Sequence, residues 1–393
     1  MPPVKTTSPE LSRENAANTL IHLGFVLAGV VTTILGPILP FLISRWSLTD
    51  ERAGLFFTMQ FCGNLIGIAS LGTLISRRGY GRTLALGFIF IAVGIAGLNL
   101  GSELACLFCA AVFGCGLGLI LPGTNLWVAD FAASRRASAL SILNLAWGIG
   151  AIACPALVFL AQKTHGLSLF LFGIAGLAIL FALALAIMNI EPRPHEINDA
   201  GMFGAQPAVG KNTALALGAL FFLYVGTEGS VGGWTASLAK RIGTTPANLW
   251  ELAPMFFWVG LMAGRALTPI ILRRVTERTL LITGLILAGS FNGALLWAST
   301  FRSAAICVTA TGLGLSCVYP LVVSQMVGRY GKDAKHTRSL MFALACVGGA
   351  TMPALVGFTS THAGNLRAGL WVPFIACLAM LSLSGLLRDP IMN

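Results

Sequence analysis

The chain has 393 residues, of which 56% are hydrophobic and 10% charged, and its mean hydropathy is +0.83. No soluble domain combines so much apolar side chain with so little charge, so the composition requires an integral membrane protein. The formal net charge of +11 comes without basic patches interleaved with aromatics, which argues against a nucleic-acid partner and leaves the basic residues to be read as a topology signal.

Residues 1–18 are polar and lack the apolar core of a signal peptide, so they are expected to form a cytoplasmic tail and the first apolar run to remain as a helix. Crossing a bilayer takes about 20 apolar residues per helix. Twelve runs of about that length follow, roughly 19–43, 53–75, 83–101, 104–128, 138–161, 167–189, 213–237, 252–272, 279–299, 303–327, 338–360 and 367–387. The short alternating segments of a β-barrel are absent. The stretch 191–211 holds three prolines and three glycines and reads as a cytoplasmic linker. The expected division is therefore a six-helix bundle over 19–190 and a second over 212–393.

With the N-terminus inside, seventeen basic residues fall on the cytoplasmic face and seven outside, with Arg265 left within the eighth run. Both termini are expected to be cytoplasmic. The halves also echo each other. Arg77-Arg78, Arg82-Thr83-Leu84 recurs as Arg273-Arg274, Arg278-Thr279-Leu280; Gly114, Gly116 and Pro122 recur as Gly312, Gly314 and Pro320; and Pro155-Ala156-Leu157-Val158 recurs as Pro353-Ala354-Leu355-Val356. A parallel repeat of this kind is the mark of a transporter built from two related bundles.

Glu228, within Tyr224-Val225-Gly226-Thr227-Glu228-Gly229-Ser230, is the acidic residue set deepest in an apolar run; the other thirteen lie in polar segments or at the ends of apolar ones. An ionisable group at membrane depth marks a pathway or a site unless it is a protonated packing residue. Polar and aromatic side chains that could share such a site are Thr33, Gln60, Asn64, Asn125, Asn144, Trp147, Tyr224, Trp258 and Tyr319. Gln60 and Asn64 share a helical face, as do Asn144 with Trp147 and Tyr224 with Glu228. Each amide could equally form an interhelical hydrogen bond, and each ring could simply pack. All nine cysteines lie in apolar runs, and Cys106 and Cys109 form a lone CxxC without nearby histidines, which favours helix packing over a metal site. No serine or cysteine pairs with a histidine at plausible depth, so neither an enzyme, a metal nor a cofactor is expected.

Gly72-x-Leu74-x-Ser76-Arg77-x-Gly79 with Leu84 resembles the loop between helices two and three of the major facilitator superfamily, with Ser76 where that family has an aspartate and Tyr80-Gly81 where it has a later basic pair. Leu35-Gly36-Pro37-x-x-Pro40, Leu143-Asn144-Leu145-Ala146, Tyr224-Val225-Gly226-x-Glu228, Trp258-x-Gly260-x-x-x-Gly264-Arg265 and Gly312-Leu313-Gly314-Leu315-Ser316-x-x-Tyr319-Pro320 are similar to the fucose:proton symporter family and its sodium-glucose transporter-like relatives. The resemblance implies an all-α membrane protein of twelve transmembrane helices in two pseudo-symmetric six-helix bundles. It also implies alternating-access transport of a hexose-like sugar across the bacterial inner membrane, by a monomer, with proton coupling, sodium coupling and simple facilitation all open. Gly72, Arg77, Arg82, Asp130, Arg265 and Arg273 are the gating candidates it suggests. Where fucose symporters carry acids in helices one and four, this chain has Gly36 and Leu121, and where they carry a glutamine it has Trp147. Efflux of an amphipathic drug or lipid is a competing reading that the polar set disfavours. A non-transporting sugar sensor is another, disfavoured by short expected extensions.

Overall fold

The computed structural model describes residues 8–131, 136–164, 166–188, 211–243, 249–330 and 335–386. Residues 1–7 of the predicted tail and 191–210 of the predicted linker lie outside them. The described chain is all helical: α1 (Ser8–Thr33), α2 (Leu35–Trp46), α3 (Asp50–Gly97), α4 (Glu103–Phe131), α5 (Arg136–Thr164), α6 (Leu167–Met188), α7 (Lys211–Arg241), a 3-10 turn at Leu249–Leu252, α8 (Ala253–Ile271), α9 (Glu277–Leu295), α10 (Phe301–Leu315), α11 (Val318–Tyr330), α12 (Lys335–Ala363), α13 (Leu366–Gly369) and α14 (Trp371–Leu386). Helix is the expected outcome where the backbone of an apolar run must satisfy its own hydrogen bonds.

Eleven of these stretches are long and apolar enough to cross a membrane. One of them, α3, contains two predicted spans. Its 48 residues bend at Gly79, whose φ of 78° and ψ of 174° no helix contains, so two crossings meet at a single glycine and the count of twelve is recovered. The first helix starts at Ser8, inside the segment read as a tail.

Two predicted spans are each split in two for the same reason. Pro37 has no N–H to give to Thr33, so the hydrogen-bond ladder lapses between α1 and α2 and resumes with Ile38 N donating to the Ile34 carbonyl at 3.3 Å. Pro320 likewise cannot reach Ser316, and the ladder between α10 and α11 resumes at Leu321 N to the Cys317 carbonyl, 3.2 Å. Thr276 caps α9 through Thr279 N, and Thr300 with Ser303 forms a capping box at the start of α10.

The chain forms two compact units, one of Met1–Thr32, Gly63–Ala151 and His165–His195, the other of Thr33–Cys62, Ile152–Thr164 and Glu196–Asn393. One change of unit, between His195 and Glu196, falls in the predicted linker, while α2, the start of α3 and the end of α5 group with the second unit. In the first unit α1 and α5 approach closely enough that a Cβ at Gly29 would strike the Trp147 carbonyl and one at Gly150 the Val26 carbonyl. Small residues at such crossings are how helices associate in a medium as apolar as their side chains. In the second unit α7 is central: Trp234 is fully buried and donates from Nε1 to the Pro353 carbonyl on α12 at 2.9 Å.

Candidate functional site

Helix α7 places Tyr224 and Glu228 one turn apart on one face. Helix α8 lays Arg265 against them. The Arg265 Nη2 donates to the Tyr224 hydroxyl at 3.0 Å and lies 3.7 Å from Glu228 Oε1. The Tyr224 hydroxyl is in turn within hydrogen-bonding reach of Glu228, so it can accept from the guanidinium and donate to the carboxylate. Tyr319 on α11 completes the group, its ring centroid 5.7 Å from the guanidinium carbon and 6.2 Å from the Tyr224 ring.

Tyr224 is fully buried, whereas the Glu228 and Arg265 side chains keep 15% and 21% of their surface accessible. The pair is thus packed against aromatic rings but not sealed from solvent. A buried ion pair is tolerated when each charge has a partner and further hydrogen bonds, and this one has the tyrosine as its third member. Arg265, one of the gating candidates suggested by the resemblance, lies in the Glu228 cluster. Tyr224, Glu228, Arg265 and Tyr319 are the sequence candidates that the structure brings together in this unit.

The remaining candidates of the second unit have other described contacts. Thr33 is buried and hydrogen-bonds with Cys154, and Gln60 is 3% exposed. Trp258 packs its six-membered ring on Gly232 of α7, where an added Cβ would lie 2.8 Å from Cζ2, and it meets Phe257 edge-on at 5.0 Å. The space beside Gly232 on α7 is filled by that indole. Gly36 also faces Gly232, whose carbonyl oxygen would sit 2.6 Å from a Cβ there. The position that holds an acid in fucose symporters is a helix crossing in this chain. Arg273 is exposed just beyond α8.

In the first unit, Trp147 Nε1 donates to Thr32 Oγ1 at 3.4 Å and is half-buried, Asn144 is exposed with its amide donating to the Leu140 carbonyl at 2.9 Å, and Asn125 donates to Leu121 at 2.8 Å. Asn64 is half-buried on α3. Asp130 accepts from the Tyr80 hydroxyl at 2.7 Å and lies 3.9 Å from Arg136 Nη2. Tyr80, a departure from the family's loop, ties that loop to Asp130 of α4. Gly72, Arg77 and Arg82 are exposed.

Two buried acids were missed from sequence because they stand at the ends of apolar runs. Asp50, 9% exposed, accepts from Arg241 Nη1 at 2.8 Å and Nη2 at 2.5 Å and also from the Ser360 hydroxyl. Glu251 is 1% exposed in the turn before α8.

The comparisons agree with this architecture. The chain is 24% identical over 357 residues to the glucose/mannose transporter GlcP of Bacillus subtilis, covering 85% of this chain and 86% of that one. It is 24% identical over 375 residues to a putative glucose/galactose transporter of Helicobacter pylori, covering 88% and 90%. It is 25% identical over 281 residues to the Saccharomyces cerevisiae protein "Bypass of stop codon protein 6", covering 65% of this chain but 56% of the yeast protein's length. Among solved structures it resembles a bacterial homologue of the human lysosomal transporter Spinster in an inward-facing, occupied conformation, with TM-score 0.76, 17% identity and 97% of each chain covered. It also resembles FucP in the outward conformation, with TM-score 0.65, 19% identity, and 96% of this chain and 100% of that one covered. The family description "Major Facilitator Superfamily" matches residues 21–337, and the chain belongs to that superfamily of multi-pass membrane transporters.

Proposed function

We propose that this transporter carries a hexose-like sugar across the bacterial inner membrane by alternating access, with both termini cytoplasmic. The observation that carries the reading is the Tyr224–Glu228–Arg265–Tyr319 cluster. It offers a carboxylate acceptor, guanidinium donors and two aromatic rings, with the charged pair partly exposed, the mixture that sugar hydroxyls and C–H faces require. The relatives described as glucose/mannose and glucose/galactose transporters support the substrate class. In this reading Glu228 stays ionised against Arg265 and accepts sugar hydroxyls.

The test is uptake of labelled glucose, galactose, mannose and fucose into proteoliposomes, with and without proton and sodium gradients. Saturable uptake or counterflow of one hexose that competes with the unlabelled sugar is the expected result. Indifference to all four, with transport of an amphipathic dye instead, would replace the sugar reading by efflux.

A further inference from the structure

Asp50 opens α3 at the opposite end of its first helical stretch from Arg77, about 40 Å away at 1.5 Å per residue. It belongs to the first half of the internal repeat, yet its partners stand in the second. Arg241 at the end of α7 donates to its carboxylate from Nη1 at 2.8 Å and from Nη2 at 2.5 Å, and Ser360 near the end of α12 donates its hydroxyl to the same group. Asp50 and Ser360 are buried, at 9% and 2% exposure.

This cluster stands at the mouth of a seam between α3 and α12. Glu51 N donates to Thr361 Oγ1 at 2.9 Å, and deeper in the seam Thr58 Oγ1 donates to the Ala350 carbonyl at 2.7 Å. The two backbones meet through small residues: a Cβ added at Gly54 would lie 2.9 Å from Ala354 Cα, and one at Gly357 would strike the Asp50 carbonyl oxygen. Close approach of this kind holds by packing and a few hydrogen bonds, without long interlocking side chains. Further along α3, the Phe61 ring fills the notch at Gly349 and lies 4.0 Å from a Cβ placed at Gly229, the neighbour of Glu228. The seam therefore runs from Asp50 to the depth of the candidate site.

The ion pair at its mouth combines direction with easy release. Two parallel N–H donors fix the carboxylate in one register, and the serine adds a third. Arg241 is nevertheless 42% exposed, and a cavity of about 270 Å³ lined by Arg241, Asn365 and Arg367, among others, adjoins it. A guanidinium in that position exchanges its partner for water at far lower cost than a sealed one.

We propose that Asp50, Arg241 and Ser360 form a reversible latch that holds the α3–α12 seam shut, and that its release opens a route from this end of the helices to Glu228. Closed, the carboxylate takes all three donors. Released, Arg241 turns to water, and the first turns of α3 leave α12, which lifts Phe61 from Gly349 and Gly229. The use of that route rests on the transport reading, but the latch itself needs no substrate.

Spin labels at Leu55→Cys on α3 and Ala363→Cys at the end of α12, both exposed positions, report the width of the seam by double electron–electron resonance in purified full-length protein without sugar. Cys62→Ser and Cys115→Ser remove the two native thiols that are not buried. Wild type is expected to show mainly the short distance. Asp50→Asn and Arg241→Gln should each raise the ratio of long to short distances about ten-fold, the equivalent of about 1.4 kcal/mol. A merely structural tie would lower the melting temperature and leave a single short distance, so an unchanged distribution in Asp50→Asn overturns the proposal. Should that variant fail to fold, Ser360→Ala, which removes one donor and keeps the ion pair, takes its place: a smaller rise in the long distance supports the latch, and none overturns it. Because no sugar is present, failure here leaves the hexose reading standing, and failure of hexose uptake leaves the latch.

Discussion

Arg265 and Glu228 face each other from neighbouring helices with Nη2 and Oε1 3.7 Å apart, and neither side chain is more than 21% exposed. Each would be costly alone, about 2.5–3.5 kcal/mol at membrane depth on insertion scales, and breaking a buried pair by removing one member typically costs about 3–5 kcal/mol. Arg265→Ala is therefore expected to lower stability by about 3 kcal/mol. Replacing both residues, as Glu228→Gln with Arg265→Leu, removes the stranded charge and recovers at least half of that. Thermal unfolding in detergent, followed by tryptophan fluorescence, checks it. A double variant no more stable than Arg265→Ala would mean that the two charges do not depend on each other.

Glu228→Gln keeps the side chain's shape but turns half of a charged acceptor into an amide donor. Sugar affinity is expected to fall about five- to 150-fold, the range set by leaving one buried hydrogen-bonding group unpaired at about 1–3 kcal/mol. Any gradient dependence should survive, because Glu228 is compensated by Arg265 and Tyr224 rather than left to take up a proton. Equilibrium binding and gradient-driven uptake on the same preparation separate the two effects. Accumulation abolished while counterflow persists would make Glu228 the coupling acid.

Asn144→Ala and Trp147→Ala test the contribution of the first bundle. Asn144 spends its N–H on the Leu140 carbonyl, which leaves its oxygen as an acceptor, and Trp147 is anchored to Thr32. Each substitution is expected to weaken sugar binding by about 1–3 kcal/mol with thermal stability near wild type, as measured by titration of the purified proteins. Normal binding in both would remove these two residues from the sugar site.

The apolar runs and their prolines made the helices legible. The twelve spans follow from length and hydropathy, and the breaks before α2 and α11 follow from Pro37 and Pro320, since a missing N–H is a local property of the chain. What joins Glu228 to Arg265 is not local. Both stood out as charges inside apolar runs, and two opposite charges at membrane depth call for each other, yet periodicity shows only the face each occupies on its own helix. Glu251 was passed over because it stands next to a polar link. Its burial comes from the turn Leu249–Leu252 folding against α7, which no helical period encodes. Gly36 reads as a lost acid in the sequence and as a crossing with Gly232 in the fold.

Asp50 and Arg241 form a bidentate pair reinforced by Ser360, while Glu51 N donates to Thr361 Oγ1 at 2.9 Å, so the start of α3 is tied to the ends of α7 and α12. Arg241 is 42% exposed, so solvent screening reduces the value of the pair. Asp50→Asn is expected to destabilise by about 1–2 kcal/mol, in keeping with the loss of a charge-assisted, partly solvated contact. The difference from wild type should shrink in 1 M salt, where the Debye length falls to about 3 Å. Paired melting curves at low and high salt decide it, and a loss that is equal in both would assign the effect to Ser360 and packing rather than to charge.

Gly36 and Leu121 occupy the positions where fucose symporters carry acids, which raises the question of whether restoring either acid restores that chemistry. At Gly36 it should not. A Cβ there lies 2.6 Å from the Gly232 carbonyl oxygen, so even Gly36→Ala forces α2 away from α7 and is expected to cost about 1–3 kcal/mol as overpacking. Gly36→Asp adds a carboxylate aimed at a carbonyl oxygen, with repulsion on top of the clash, and should give little folded protein. Leu121 on α4 is only half-buried and has no such constraint, so Leu121→Glu is expected to be tolerated. Size-exclusion profiles and melting temperatures of the three variants test the contrast. A Gly36→Asp protein that is monodisperse and as stable as wild type would show that α2 and α7 do not approach this closely, and would reopen Gly36 as a site for a coupling acid.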